Sequence, residues 1–321
     1  MLNEKMVSLG MRRSVIREIF EYGKKRKAEI GEESVFDFSL GNPSVPTPAA
    51  VTAALERIIK ETDPVRLHGY TSAQGDTAVR AKIAGSIEER FGFPANKDLI
   101  YMTCGAAASL TVTLNALINS GDEIIIPSPF FPEYRVFAEN AGARVVTVQC
   151  RKPDFQLDIK ATENAVTEKT KAIIINSPNN PTGAVFSPDT IKALSDMLCK
   201  KQAEYGTDIY IIADEPYREL SYGAEVPYIP KYYANTVICY SYSKSLSLPG
   251  ERIGYIFIPE GAADCRKLYA AVCGAGRALG FVCAPSLMQY TVAECTDALP
   301  DVSAYKKNRD LLFGALTDYG Y

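Results

Sequence analysis

The chain has 321 residues, of which 47% are hydrophobic and 23% are charged, and its formal net charge is −3. This composition is typical of a globular protein with a large core and excludes disordered and collagen-like chains. The near balance of 35 basic and 38 acidic residues leaves no excess positive charge to hold a polyphosphate backbone, so no nucleic acid partner is expected.

The sequence contains no signal for a membrane or for secretion. Its first residues lack the apolar core of a signal peptide, and no window reaches the roughly 18 unbroken apolar residues of a membrane span. Eight cysteines are scattered without a C-x-x-C pair, and the single histidine, His68, argues against a His-rich metal site. We therefore predict a cytoplasmic protein with reduced, buried thiols, no metal and no membrane partner.

The spacing of apolar residues predicts elements along the whole chain. A helix is expected from Ser14 to Ile30 with Ser14 as its cap, followed by a short extended piece and a proline-rich loop over residues 36–48. From about residue 98, short apolar runs alternate with longer amphipathic segments. Seven runs are strand candidates: Leu99–Met102, Glu123–Ile126, Arg144–Val148, Ala172–Ile175, Ile209–Ala213, Thr236–Tyr240 and Gly254–Ile258. Helices are expected between them, among others at Ala106–Asn119, Tyr134–Asn140 and Pro188–Tyr205.

Runs that are apolar at every position suit strands covered on both faces. The expected fold class is α/β, a three-layer sandwich with a mostly parallel seven-stranded sheet, plus a smaller α+β domain built from both chain ends. We assign residues 1–45 to the N-terminal helix and arm of the small domain, 46–283 to the large domain and 284–321 to the C-terminal part of the small domain. Residues 308–321 resemble a helix that closes at Gly320, where a strand should follow, so this last part is expected to be truncated.

Four predicted strands end in residues with specific chemistry, and ligands of open parallel sheets bind beyond such strand ends. The first strand runs into the small residues of 103–109, a turn whose backbone N–H groups can face a phosphate. The fourth leads to a rigid Asn-Pro turn that presents Asn180, and the fifth ends at Asp214, a carboxylate that is costly to bury without a cation or donors. The sixth leads to Lys244, and Arg252 can return to the same place.

Each feature alone has a plain structural interpretation: close packing, a turn, a capping carboxylate and a solvated lysine. Together they supply a phosphate cradle, an acid that needs a cation, the neutral donors Asn180 and Tyr217, and an amine nucleophile that the Arg252 charge would activate. Pyridoxal phosphate matches this set through its phosphate, its pyridine nitrogen, its phenolic oxygen and an aldehyde that condenses with lysine. A P-loop ATPase is excluded because the G-x-x-x-x-G-K-[ST] motif is absent from the sequence.

From about residue 38 to its end, the chain resembles the class I/II aminotransferases of fold type I, which are aspartate aminotransferase-like. The resemblance lies in Asn-Pro-Thr-Gly at 180–183, in Asp214-x-x-Tyr217 and in Ser241-x-Ser-Lys244 followed by Arg252, in the family's order. It implies a pyridoxal phosphate enzyme in which Lys244 is the Schiff-base lysine and the acid/base, and Asp214 is the partner of the pyridine nitrogen. Tyr217 completes the implied catalytic set.

The same resemblance implies the remaining contacts of the cofactor and the substrate. Asn180 and Tyr217 would hydrogen-bond the ring oxygen, and Phe131 would stack on the ring. Tyr70 would reach the phosphate of the neighbouring subunit in a homodimer, while Gly41 and Asn180 would contact the substrate. The other residues implied to hold the phosphate are Gly105, Ala106, Ala107, Ser241 and Arg252.

The implied reaction moves an amino group between an L-amino acid and a 2-oxo acid by a ping-pong mechanism.

Two departures from the family are visible. Ala106 and Ala107 stand where Gly, Ser or Thr is frequent, which leaves only backbone donors for the phosphate. The arginine for the substrate α-carboxylate is expected past Tyr321, and no residue identifies the donor or acceptor.

Three other functions are considered beside this one. A pyridoxal phosphate-dependent C–S β-lyase would carry the same motifs. A non-catalytic pyridoxal-binding regulator would normally carry a fused DNA-binding segment, for which the stretch before Phe36 is short. A dinucleotide oxidoreductase is suggested by the glycines of 274–280, but their spacing is off by one and the segment from Lys267 has a helical pattern.

Overall fold

The computed structural model describes residues 2–11 and 15–321. The chain divides into two compact units, Met1–Ser44 and Val45–Tyr321. The first unit contains helix α1 (Glu4–Met11) and helix α2 (Val15–Ile30). The helix predicted to end at Ile30 is thus confirmed from Val15 onward, while its predicted cap, Ser14, lies outside the described residues.

The second unit contains the predicted sheet and its covering helices. Its strands are β1 (Ile100–Thr103), β2 (Glu123–Ser128), β3 (Arg144–Gln149), β4 (Thr170–Asn176), β5 (Tyr210–Asp214), β6 (Thr236–Ser241) and β7 (Gly254–Phe257). Its helices are α3 (Ala49–Glu61), α4 (Pro64–His68), α5 (Thr77–Phe91), α6 (Ala106–Leu117), α7 (Glu133–Asn140), α8 (Ile159–Ala165), α9 (Pro188–Tyr205), α10 (Tyr242–Ser245), α11 (Cys265–Leu279), α12 (Ser286–Glu294) and α13 (Val302–Asp318). Each of the seven predicted strands overlaps an observed one.

The seven strands form one sheet in the order β1-β7-β6-β5-β4-β2-β3. All neighbours in it are parallel except β7, which runs antiparallel to both β1 and β6. The prediction of a mostly parallel sheet is therefore confirmed.

Two apolar clusters cover the two faces of the sheet, because successive side chains of a strand point to opposite sides. On β5, Ile211 and Ala213 join the cluster formed with α3, α5, α9 and α12, whereas Tyr210 and Ile212 join the cluster formed with α6, α7 and α11. This arrangement is the predicted three-layer sandwich.

Local signals explain why some helix bounds were predictable. Helix α9 begins at Pro188, with Ser187 Oγ accepting a hydrogen bond from the Thr190 N–H over 3.1 Å, and ends before Gly206, whose φ of 66° is left-handed. The glycines of 274–280 lie in or directly after α11. They form no strand-to-helix turn, so the dinucleotide interpretation is wrong.

Residues 284–321 contain two helices, α12 and α13, which differ in burial. Met288 and Val292 of α12 belong to the core cluster shared with α3 and α5, whereas no residue of α13 is buried. The predicted division into domains at residues 45 and 283 stays a prediction.

Within residues 2–11 and 15–321, no helix has both the length and the apolar character to cross a bilayer.

All eight cysteines carry free thiols, as predicted. Their predicted burial is wrong for most of them: Cys239 and Cys295 are buried, Cys199 is exposed, and the other five are intermediate. An apolar sequence neighbourhood places a cysteine on a core element but does not decide which face of the element it occupies.

Candidate active site

The carboxyl ends of the central strands form one polar edge of the sheet. Asn176 pairs with Asp214 in the register of β4 and β5, and β6 runs parallel beside β5 and ends at Ser241. Since β7 runs in the opposite direction, its first residue, Gly254, pairs with both Ser241 and Thr103. The sheet therefore brings together the strand ends that the sequence marked as chemically specific.

Asp214 is a buried carboxylate with one satisfied oxygen. The Tyr134 hydroxyl donates to its Oδ2 over 2.5 Å, while its Oδ1 is buried with no hydrogen-bond partner in the described part of the chain. Burial raises the pKa of Asp214 to about 7, with the Tyr134 hydrogen bond acting to lower it and nearby Glu215 to raise it. A cationic N–H donor at Oδ1 would stabilise the ionised form.

Asn176 holds the loop that carries Asn180. Its Oδ1 accepts from the Asn180 backbone N–H over 2.7 Å, and its Nδ2 donates to the Asp214 carbonyl over 2.9 Å. The Asn180 side-chain amide then donates to the Tyr217 hydroxyl over 3.3 Å. Burial and the Asp214 charge raise the pKa of Tyr217, so this residue stays a neutral hydroxyl near Asn180 and can donate to a ligand oxygen.

Lys244 lies on α10, a single turn directly after β6. Ser241 caps this turn, because its Oγ accepts from the Ser243 N–H over 3.2 Å. Lys244 is half-buried, and burial lowers the pKa of its amine, which raises the neutral, nucleophilic fraction. The direction agrees with the sequence interpretation, but the cause is burial rather than the charge of Arg252.

The N-terminus of α6 and Arg252 form a corner of positive charge. Gly105 caps α6 with a φ of 83°, and a Cβ at this position would lie 2.8 Å from Arg252 Nη2. Arg252 also donates to the Cys104 carbonyl over 3.3 Å and to the Pro249 carbonyl over 2.9 Å. A guanidinium beside a helix N-terminus is a favourable place for a phosphate. Helix α6 starts at Ala106 and Ala107, so their backbone N–H groups belong to this corner.

The aromatic and flanking candidates lie in different surroundings. Phe131 meets Tyr134 edge-on with ring centroids 5.6 Å apart, so it lies on the Asp214 side of the site. The Tyr70 side chain is 99% exposed and lies on the surface of the single chain. Gly41 belongs to the separate unit Met1–Ser44. The structure thus groups the other predicted residues of the second unit around the sheet edge, and Tyr70 does not lie among them.

Sequence reasoning missed two residues of this site, Tyr134 and Asn176. Asn176 had a usable signal, because it is a polar residue that ends an apolar strand, as Asp214 does. Tyr134 had none, since its partner Asp214 is 80 positions away and only the packing of α7 against the sheet brings them together.

A buried ion pair holds the loop that follows β5. Arg218 donates to Glu215 through Nε over 2.8 Å and through Nη2 over 2.5 Å, and it also donates to two backbone carbonyls. Its guanidinium lies over the rings of Phe91 and Tyr228, and the side chains of both ionic partners are at most 6% exposed. This loop carries Tyr217, so the ion pair supports the site.

Replacing Arg218 with methionine is expected to lower the free energy of unfolding by about 3–5 kcal/mol, because Glu215 then keeps a buried, unpaired charge. Urea unfolding measures this change. The double variant Arg218→Met/Glu215→Gln should recover a large part of the loss. Arg135→Met breaks an exposed pair with Glu139 and should cost less than about 1 kcal/mol. Equal losses for Arg218→Met and Arg135→Met would contradict the prediction.

This fold and this donor set define an enzyme of the pyridoxal phosphate-dependent, fold type I class. The model of the family "Aminotransferase class I and II" matches residues 33–320. The chain belongs to this family, whose members depend on pyridoxal phosphate. The protein is therefore an enzyme, a transferase.

Similar proteins agree with this assignment. An amino transferase from Eubacterium rectale is 55% identical and superposes with a TM-score of 0.97 over 100% of this chain and 81% of that chain. "Arginine--pyruvate transaminase AruH" of Pseudomonas aeruginosa is 30% identical over 308 residues, 92% of this chain and 73% of that protein. "Probable aspartate aminotransferase" of Methanocaldococcus jannaschii is 28% identical over 313 residues, 95% of this chain and 77% of that protein. The family, the fold class and the cofactor expected from the sequence are confirmed.

Pyridoxal phosphate fits the residues that the structure brings together. The buried Asp214 Oδ1 matches the pyridine nitrogen, since only a donor or a cation would satisfy it. The corner between Gly105 and Arg252, which a Cβ on Gly105 would fill, matches the phosphate. Tyr217 and Asn180 match the phenolic oxygen.

Proposed function

We propose that this aminotransferase moves an amino group between an L-amino acid and a 2-oxo acid by a ping-pong mechanism centred on Lys244. The observation that carries this proposal is the Oδ1 of Asp214, which is buried and has no hydrogen-bond partner in the described part of the chain. The half-buried Lys244 lies in the turn that follows β6, the strand beside Asp214. When bound, the cofactor supplies an aldehyde for a Schiff base with Lys244 and a ring that accepts electrons from the substrate α-carbon. A purely structural role for Asp214 would leave the Oδ1 of this buried carboxylate without a compensating donor.

The catalytic roles follow from the state of each group. Asp214 would keep the pyridine nitrogen protonated by offering an anionic oxygen in a low-dielectric place. The Lys244 amine, with its lowered pKa, would take the proton from the substrate α-carbon and return it later in the cycle. Tyr217 and Asn180 would orient the ring by hydrogen bonds to its oxygen.

The remaining candidates would bind rather than react. The backbone N–H groups of Gly105, Ala106 and Ala107 would hold the phosphate together with Ser241 and Arg252. Phe131 would stack on the ring, and its contact with Tyr134 supports that position. Gly41 and Asn180 would contact the substrate.

We further propose a homodimer in which Tyr70 reaches the phosphate of the neighbouring subunit. Tyr70 is 99% exposed in the single chain, which leaves its ring available for a contact with the neighbouring subunit. The proposed domain organisation is a large cofactor domain over residues 46–283 flanked by small-domain segments at 1–45 and 284–321.

The proposed reaction is tested by its separate half-reactions. Adding an L-amino acid alone to the holoenzyme should change the visible absorbance of the cofactor once per site, and adding 2-oxoglutarate should restore it. A panel of amino donors then identifies the substrate. Sustained release of pyruvate from cystathionine without any keto acid would contradict the proposal and favour the C–S β-lyase.

A further inference from the structure

A hydrogen-bonded chain connects α5 to the turn that carries Lys244. Arg90 of α5 forms an ion pair with Glu219, with 2.5 Å between Nη2 and Oε1. The Tyr240 hydroxyl lies 2.9 Å from the same Glu219 oxygen and 3.0 Å from Ser245 Oγ. Glu219 is 5% exposed in its side chain and Tyr240 is 4% exposed, so water competes little for the contacts of the Tyr240 hydroxyl.

Two members of this chain, Ser245 and Glu219, belong to the segments that carry Lys244 and Tyr217. Ser245 follows Lys244 directly in α10. Glu219 lies in the turn that begins at Tyr217, whose carbonyl accepts from the Leu220 N–H over 2.8 Å. Because Glu219 and Ser245 meet at one tyrosine hydroxyl, the contact sets the separation of the two backbone segments.

Helix α10 needs such support because it is only four residues long. A single helical turn is unstable by itself, since few hydrogen bonds offset the ordering of its backbone. Besides the Ser245 contact, the Thr47 hydroxyl donates to the Leu246 carbonyl over 2.7 Å. Side-chain anchors on both sides therefore hold the turn in place.

The charge in this chain is not explained by stability alone. Burial lowers the pKa of Arg90, but Glu219 together with Tyr240 and Tyr255 raises it, and the net shift is upward, so Arg90 stays charged. The Arg90 side chain is 30% exposed, and such partly exposed ion pairs contribute little to stability, whereas their hydrogen bonds add directional contacts. Arg90, Glu219, Tyr240 and Ser245 also line a cavity of about 20 Å³, which accommodates a single water molecule.

We propose that Arg90, Glu219 and Tyr240 are positioning residues that hold the Lys244 turn in fixed register with the Tyr217 turn. The inference rests on the proposed roles of Lys244 and Tyr217 in the reaction. It adds that a polar chain sets the position of the Lys244 amine. This chain runs from Ser245 through Tyr240 and Glu219 to Arg90 on α5.

The test compares Tyr240→Phe with Tyr255→Phe in the full chain, with and without pyridoxal phosphate. Tyr255 stacks on Tyr240 with ring centroids 5.0 Å apart, so its variant removes a hydroxyl nearby and keeps the Tyr240–Ser245 contact. Hydrogen exchange of residues 242–246, followed by mass spectrometry, should become about tenfold faster in Tyr240→Phe because two buried groups lose a partner. Tyr255→Phe should exchange as the wild type does.

Kinetics give the second readout of the same variants. Tyr240→Phe should lower kcat with little change in KM, and Ser245→Ala, which breaks the same contact from the other side, should do the same. Glu219→Gln keeps an acceptor for Tyr240 and should retain more activity than Glu219→Ala.

Unchanged hydrogen exchange in both Tyr240→Phe and Ser245→Ala, or an equal increase in Tyr255→Phe, would overturn the inference. Hydrogen exchange of the cofactor-free protein does not depend on the chemistry of Lys244. It therefore tests the positioning role even if the proposed reaction is wrong.

Discussion

Replacing Lys244 with alanine is expected to lower kcat by about 10⁴-fold or more, because one substitution removes both the nucleophile and the proton-transfer group. Borohydride reduction of the wild-type holoenzyme should attach the cofactor to the peptide that contains Lys244, and mass spectrometry of a digest locates the adduct. The Lys244→Ala protein should yield no such adduct.

The matched control is Lys267→Ala, which removes a lysine whose side chain is 82% exposed and paired only with Asp264 on the surface. This variant should keep wild-type turnover and the Lys244 adduct. Near-normal transamination by Lys244→Ala, or an adduct on another lysine, would refute the assignment of Lys244.

Replacing Asp214 with asparagine should lower kcat by at least about a hundredfold, the scale for removing one preorganised electrostatic contact in a buried site. Asparagine keeps the shape and still accepts from Tyr134, but it offers no anionic oxygen. Asp208→Asn makes the same change at an exposed position just before β5, at the other end of the strand, and should leave activity intact. Wild-type turnover by Asp214→Asn would contradict the pyridine-nitrogen role.

The same substitution should stabilise the cofactor-free protein at alkaline pH. The pKa of Asp214 is about 7 in the folded chain against an ordinary value of 3.8, so the folded state holds this proton more tightly than the unfolded state. Stability from this group is therefore greatest below pH 4 and is lost as the pH rises to 7, by about 4 kcal/mol at roughly 1.4 kcal/mol for each pKa unit. Asparagine has no such loss.

Urea unfolding of the cofactor-free proteins at pH 5 and pH 8 measures this effect. The stability of Asp214→Asn relative to wild type should increase by about 2–3 kcal/mol between the two pH values. A difference that does not change with pH would show that Asp214 does not titrate in this range.

The sheet was predictable from the sequence because β2, β4, β5 and β6 each contain an unbroken apolar run and are covered on both faces. The polar residues that end these strands, Asp214 among them, were predictable for the same reason, since a polar group stands out after an apolar run. The exact bounds of α9 followed from its cap and its closing glycine.

The supporting contacts of the site could not be predicted in this way. Tyr134, Glu219 and Tyr240 each act through partners on other elements, and neither hydrophobic spacing nor a short motif encodes such pairs. The predictions of cysteine burial and of the cause of the lowered Lys244 pKa were wrong for a related reason. Both properties depend on packing rather than on sequence neighbours.

The position of β7 has a consequence for synthesis of the protein. β1, at one edge of the sheet, has β7 as its only neighbour, and Thr103 at its end pairs with Gly254 at the start of β7. The N-terminus of α6 therefore meets Arg252 only after about 150 further residues have left the ribosome, and closing so long a loop is slow. Nascent chains should thus be unable to retain the cofactor phosphate until β7 has emerged, which makes cofactor capture a late event that reports on completion of the sheet.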